Sequence, residues 1–162
     1  MPAHLHLRWR AAVSNADGST LVEFALCATM FFLVVFSILE LSFLLNAQMT
    51  LQNAVRQAGR YAITGNHLAD PQHPGQTLSR VASITQVATT AAMGLNVSNI
   101  QISSVSGGSN NAGGPDDTVT ISLTANLPVL TPLIAEYFQN GTFTTTVAVS
   151  FKNEPFPPGN SQ

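Results

Sequence analysis

The sequence is poor in charge and nearly free of cysteine. Only 9% of its 162 residues are Asp, Glu, Lys or Arg, against roughly 25% in typical globular proteins. A net charge of −2 and a single lysine, Lys152, exclude the basic surface that nucleic-acid binding requires. The one cysteine, Cys27, excludes an intrachain disulfide and a cysteine-based zinc site.

The apolar residues are concentrated in one long run. Residues 21–45 include only two charged side chains, Glu23 and Glu40. A membrane-spanning helix needs about 20 mainly apolar residues, whereas the apolar core of a signal peptide has about 7 to 15. A buried helix of a soluble domain is the alternative, but the rest of the chain is too small and polar to surround a helix that is apolar on every side. The run therefore predicts a transmembrane segment over residues 21–45.

The orientation of this segment does not follow from the basic residues. Arg8 and Arg10 precede the run, and Arg56 and Arg60 follow it, so the positive-inside rule gives equal weight to both ends. Most of the chain follows the run and is rich in Thr, Ser and Asn, which is typical of an exported domain. We therefore expect a cytoplasmic N-terminus.

The helical pattern continues beyond the apolar run. Apolar residues recur at i, i+3, i+4, i+7 and i+11 and form one stripe: Leu51, Ala54, Val55, Ala58 and Ala62. This spacing predicts one long helix over residues 19–64, membrane-spanning in its first half and packed on a domain in its second. A loop over residues 67–76 and a second helix over residues 77–93 are expected next.

The hydrophobic period then changes from 3.6 to 2. Alternation over residues 100–103, 119–125 and 143–151 predicts three strands with one buried and one solvated face, which suits antiparallel pairing. Residues 107–117 are expected to form a hairpin loop, and one helical turn is expected around residues 133–138. The predicted fold class is α+β: a long N-terminal helix packed on a small antiparallel sheet of three or four strands.

The start of the apolar run allows two interpretations. Thr20 and Glu23 fit a helix capping box, which needs no function. Alternatively, Gly18 supplies an unhindered residue for a peptidase that cuts after it and frees the α-amine of Ser19. A carboxylate inside an apolar segment is costly unless it is paired, so Glu23 would then pair with such an amine on a neighbouring copy.

Three blocks of this sequence, residues 18–24, 38–41 and 51–62, together resemble the TadE-like proteins of the tight-adherence (Flp-type) pilus system. The resemblance implies a minor pseudopilin whose short leader is removed by a prepilin peptidase of the inner membrane. Residues 1–18 would be this cytoplasmic leader, with Gly18 before the cut and Ser19 as the mature N-terminus. Glu23, with Phe24 beside it, would act in processing and assembly.

The resemblance also sets the expected location and partners. It implies a pilin-like, single-pass protein of the bacterial inner membrane, with residues 65–162 forming a periplasmic domain and with uptake into the pilus. The expected partners are the prepilin peptidase, other pseudopilins and pilus assembly proteins, and inner-membrane lipid. The alternative is an uncleaved, membrane-anchored periplasmic binding or adhesion module that holds a ligand with its sheet face or loops.

Glu40 is the second charged residue of the apolar run. It lies roughly 25 Å along a helix from Glu23, so in a hydrocarbon core of about 30 Å the two carboxylates would lie near opposite faces. Either Glu40 reaches the outer interface or is protonated, or it makes an intramembrane contact to a partner helix.

The sequence offers no Ser/His/Asp set, phosphate-binding loop or metal-ligand cluster. We therefore predict a protein that is not an enzyme and has no cofactor and no metal site.

Overall fold

The computed structural model describes residues 16–157 and divides the chain into two compact units. One unit ends at Ile38 and the other begins at Leu39. Most of the predicted leader, residues 1–15, lies outside the described residues, as do residues 158–162. Helix α1, Ala16–Ile63, contributes residues to both units. The prediction of one long helix is therefore confirmed, with a start three residues earlier than expected and an end one residue earlier.

Helix α2, Arg80–Ala91, is shorter at both ends than the predicted 77–93. Ser79 is its N-cap, since its side chain accepts a hydrogen bond from the amide of Ala82 at 3.2 Å. Thr77 is held outside the helix because it forms an isolated antiparallel bridge with Ala69. At the other end, Met93 has φ +51° and Gly94 has φ +79°, a left-handed backbone that stops the helix.

The sheet has four antiparallel strands in the order β2-β1-β3-β4. Their bounds are β1 Val97–Ser104, β2 Gly108–Ser109, β3 Thr118–Pro128 and β4 Thr142–Lys152. The three predicted strands are present. The predicted loop 107–117 also contains the two-residue strand β2, which pairs with the end of β1. The connection from β3 to β4 contains the short helix α3, Pro132–Ala135, and a 3₁₀ turn, Gln139–Gly141.

The core lies between one face of the sheet and the second half of α1 together with α2. The predicted stripe of α1 is confirmed, because all five of its residues are 0% exposed. The inward residues of β3 are buried against it: Val119, Ile121, Leu123, Ala125 and Leu127. The outward residues of β3 and β4 are mainly Thr and Ser, and cross-strand pairs of their hydroxyls hydrogen-bond at 2.8 Å. The α+β fold with one buried sheet face is therefore confirmed.

Helix α1 contacts β4 at a glycine. Gly59 is buried, and a Cβ built on it would overlap the ring of Phe151. Only hydrogen fits at this point of the helix, so the sheet and helix can lie closer than ordinary side chains allow.

Candidate functional site

The first described part of α1 is an apolar surface without a protein partner. From Gly18 to Ile38 no side chain is buried. The most apolar window of the helix has a mean hydropathy of 2.4 and no buried residue. At 1.5 Å per residue these residues extend about 32 Å, which matches a hydrocarbon core of about 30 Å. Among residues 16–157, α1 is the one helix long and apolar enough to cross a membrane.

Hydroxyl groups inside this apolar segment are satisfied by the helix itself. Thr29 donates to the carbonyl of Ala25 and Ser37 donates to that of Leu33, both at 2.7 Å. Such bonds to the i−4 carbonyl remove the cost of placing a hydroxyl in hydrocarbon. The two polar residues are therefore compatible with a lipid-facing helix.

The residues proposed for processing lie in the first turns of α1. Gly18 is exposed, and a Cβ at this position would meet nothing within 4 Å. The hydroxyl of Ser19 donates to Oε1 of Glu23 at 3.3 Å, so the structure brings these two side chains together. Phe24, next to them, is exposed. The capping-box interpretation is wrong, because the helix begins at Ala16 and Thr20 lies within it rather than at its N-cap.

Glu40 occupies a site that the chain builds for a carboxylate. It is 6% exposed, although most neighbouring positions of α1 are open. The amide of Leu130 donates to both of its oxygens, at 3.2 and 3.0 Å. The amide and the hydroxyl of Thr131 donate to Oε2, at 3.0 and 3.1 Å. Three donor groups thus hold the carboxylate, which offsets the cost of burying its charge.

The donors to Glu40 come from the entry of α3. Thr131 is the N-cap of this short helix, and its own side chain makes no capping bond within the helix. Glu40 accepts from the two amides that directly precede α3, so it fixes the backbone at the entry of this helix rather than capping its first turn. Because 90 residues separate Glu40 from Leu130, no local sequence pattern signals this contact.

Arg80 is the buried charge that the sequence analysis did not identify. It is 1% exposed, and its guanidinium donates to the carbonyls of Ala62, at 2.7 Å, and Gly113. The group also lies 4.5 Å from the centre of the Phe156 ring. Burial lowers the pKa of Arg80, and the nearby charge of Asp117 opposes that shift. Arg80 thus joins the end of α1, the 107–117 loop and the chain after β4.

Asp117 connects the start of β3 to the turn between β1 and β2. Its carboxylate accepts hydrogen bonds from the amide and hydroxyl of Ser106 and from the amide of Thr118. These bonds, the Ser106 hydroxyl first, lower the pKa of Asp117. Within residues 16–157, no group of three His, Cys, Asp or Glu side chains is close enough together to hold a metal ion.

Comparison with known proteins finds a similarity in the N-terminal part of the chain. Residues 18–60 match the family model described as TadE-like protein, which confirms the resemblance over that segment. The matched residues all lie in helix α1, so the similarity to this family belongs to that helix and not to the α+β domain that follows it. No curated protein and no solved structure matches the chain.

Proposed function

We propose that this protein is a minor pseudopilin, cut by a prepilin peptidase between Gly18 and Ser19 and then taken up into a tight-adherence pilus assembly. The observation that carries the proposal is the spacing of Gly18, Ser19 and Glu23 at the head of an apolar helix segment with no buried side chain. This segment lies within the residues that match the TadE-like family. An ordinary soluble domain would not leave such a segment uncovered.

The environment of Gly18 suits cleavage. The bond to be cut lies in the first turn of α1, so a peptidase must unwind that turn to reach the backbone. Glycine costs a helix about 0.5–1 kcal/mol relative to alanine, and the first amides of a helix lack internal partners. Unwinding here is therefore inexpensive, and the open space around Gly18 admits the enzyme.

The proposed role of Glu23 is to pair with a neighbouring subunit. In the chain described here, Glu23 contacts the hydroxyl of Ser19 in its own helix. After cleavage Ser19 would carry a free α-amine, which is a stronger partner for a carboxylate than a hydroxyl is. An amine from a second copy would neutralise Glu23 within the lipid, where an unpaired carboxylate is costly.

A second surface of α1 supports side-by-side assembly. Leu41, Leu45 and Met49 are exposed and spaced four residues apart, so they form one apolar stripe. Ala47 and Leu51, on the same part of the helix, are buried in the core of the domain. The stripe therefore faces away from the core and fits the helix of another subunit.

The proposed topology is a single-pass protein of the bacterial inner membrane. The N-terminus would be cytoplasmic, with residues 1–18 as the leader, and residues 65–162 would form the periplasmic domain. Two arginines precede the span and two follow it closely, so the positive-inside rule favours neither orientation. A reporter fusion therefore tests which end is cytoplasmic. A periplasm-specific reporter fused after the last residue should be active, and the same reporter placed before Gly18 should be inactive.

The decisive experiment is N-terminal sequencing of the membrane-bound protein from cells that contain the peptidase. The proposal expects a chain that begins at Ser19. Gly18→Ala should slow this maturation and Gly18→Val should block it. Gly114→Val is the matched control, because Gly114 also has open space around it but lies in a distant loop.

Glu23 requires a separate readout. Glu23→Gln keeps the size of the side chain but removes its charge, so we expect the variant to be defective in pilus assembly whether or not it is cut. Normal pili from Glu23→Gln would contradict the pairing role. An uncut wild-type chain in cells that contain the peptidase would overturn the pseudopilin proposal and leave the uncleaved, anchored binding module.

A further inference from the structure

The connection between β3 and β4 carries an unusual concentration of exposed apolar side chains. We call residues 129–138 the 129–138 loop. It is closed by a hydrogen bond from the amide of Val129 to the carbonyl of Gly141 at 2.9 Å. Within the described residues, five large apolar side chains outside α1 are exposed, and three of them lie in this loop: Leu130, Tyr137 and Phe138. The other two, Met93 and Val105, are isolated single positions.

The position of this loop in the molecule is fixed by Glu40. Four hydrogen-bond contacts connect the Glu40 carboxylate to Leu130 and Thr131. Glu40 follows Ile38, the last residue of the first unit, by only two positions in the chain. The loop is therefore attached to α1 directly after the segment from Gly18 to Ile38, in which no side chain is buried.

The chemistry of the loop fits the boundary between lipid headgroups and acyl chains. Its sequence contains one charged residue, Glu136, and no Lys or Arg, so it has no electrostatic attraction to anionic lipid. Tyrosine is enriched at membrane interfaces because its ring enters the apolar zone while its hydroxyl stays hydrated. Tyr137 is 87% exposed and Leu130 is 58% exposed, so both are available for such a contact.

We propose that the 129–138 loop docks on the membrane interface, with Leu130 and Tyr137 inserted at the headgroup level of the leaflet that α1 leaves. The occupant is the lipid surface itself, and zwitterionic phosphatidylcholine is sufficient. This inference rests on the membrane span assigned under Proposed function. Its consequence is that the domain is held to the bilayer at a second point besides the helix.

The experiment measures the depth of labels in the full-length protein reconstituted into phosphatidylcholine vesicles. The native Cys27 is free and exposed within the span, so a bimane label on it reports on the span. Two further proteins, each with Cys27→Ser, carry the label through Tyr137→Cys or through Leu130→Cys. Cys27→Ser with Val105→Cys is the matched control, because Val105 is 81% exposed and follows the end of β1 that pairs with the far end of β3.

Quenching by nitroxide lipids separates the outcomes. A nitroxide near the headgroup should quench the labels at residues 137 and 130 roughly twofold or more beyond the label at residue 105. Equal, weak quenching at residues 137, 130 and 105, with Cys27 quenched by a nitroxide deep in the acyl chain, would overturn the docking and leave the span intact. Absence of deep quenching at Cys27 would overturn the span and the docking together.

Discussion

Two glutamates in one helix occupy opposite environments. Glu23 is exposed within the apolar segment, and its carboxylate accepts a hydrogen bond from the hydroxyl of Ser19. Glu40 is buried and accepts hydrogen bonds from Leu130 and Thr131. A carboxylate away from water needs partners, and Glu40 finds them within its own chain. Among residues 16–157, Glu23 accepts one such bond, from the Ser19 hydroxyl at 3.3 Å, and we propose that an amine of another subunit provides the stronger partner.

Replacing Glu40 should loosen the 129–138 loop. Glu40→Ala leaves the amides of Leu130 and Thr131 without their acceptor, so we expect the free energy of unfolding to fall by about 2–4 kcal/mol. Hydrogen exchange should also become faster at these two amides. Thr131→Val is the graded control, because it removes one of the donors and should cost about 1 kcal/mol. Unchanged exchange at both amides in Glu40→Ala would contradict the contact.

Acid should destabilise the domain through Asp117. Hydrogen bonds from Ser106 and Thr118 lower the pKa of this carboxyl below its ordinary value. Its contribution to stability is therefore complete above the pKa of the unfolded chain, about 3.9, and is lost as the pH falls through the lower pKa of the folded state. We expect the unfolding temperature to fall below about pH 4, and to fall less steeply in Asp117→Asn.

The neighbouring Asp116 provides the control for this titration. Its carboxylate is exposed and contacts Lys152 at 3.4 Å, a surface pair that contributes little to stability. Asp116→Asn should therefore keep the acid dependence of the wild type. The same slope in Asp117→Asn as in the wild type would show that other carboxyls, such as Asp70 with its pKa lowered by the amide of Gln72, cause the effect.

At the scale of elements, the hydrophobic spacing of the sequence predicted correctly those features that depend on residues close together in the chain. The stripe from Leu51 to Ala62 is buried as its spacing required. The two long strands also alternate with a period of two: β3 between buried and half-buried residues, and β4 between half-buried and exposed ones. These features depend on residues a few positions apart. The start of α2 was misplaced because Thr77 pairs with Ala69 across a turn, a contact that competes with helix formation.

The contacts that the sequence could not predict connect distant elements. Glu40 meets residues about ninety positions later, and Arg80 joins α1 to the 107–117 loop. The apolar run around Glu40 suggested a membrane or a partner helix for its carboxylate, since nothing in the sequence shows which backbone amides will be near. For Arg80, the surrounding helical pattern gave no sign of burial. The proposed processing residues, Gly18 and Ser19, follow from a local spacing in the sequence, and their role stays a prediction.

The approach of α1 to β4 should depend on Gly59. Gly59→Ala places a methyl group against the ring of Phe151. Overpacking costs about 1–3 kcal/mol, which exceeds the gain of about 1 kcal/mol from replacing glycine in a helix. We expect a lower free energy of unfolding, measured by chemical denaturation, and a partial rescue by Phe151→Leu. Gly18→Ala, in open space on the same helix, should show no loss.

At the scale of the whole molecule, the scarcity of charge has two separate causes. The apolar excess belongs to the uncovered segment that ends at Ile38. The domain that follows has few charges because its solvated sheet face is built from Thr and Ser, whose hydroxyls bond in pairs across the strands. Neutral hydrogen-bonding groups thus take the place of surface charge on this face of the sheet.

This division predicts where the chain can be cut without loss of the domain. The unit that begins at Leu39 retains Glu40, the buried stripe of α1 from Leu51 to Ala62, and the whole sheet. We therefore expect residues 39–162 to fold in aqueous buffer without detergent, with the circular dichroism and cooperative thermal unfolding of an α+β domain.

Residues 64–162 lack Leu51, Val55 and the three alanines of the buried stripe, whose removal uncovers the inner face of β3. That shorter fragment should aggregate or remain unfolded, because the sheet alone cannot cover its apolar face. Cooperative unfolding of residues 64–162 at the temperature of residues 39–162 would show that α1 is not part of the core.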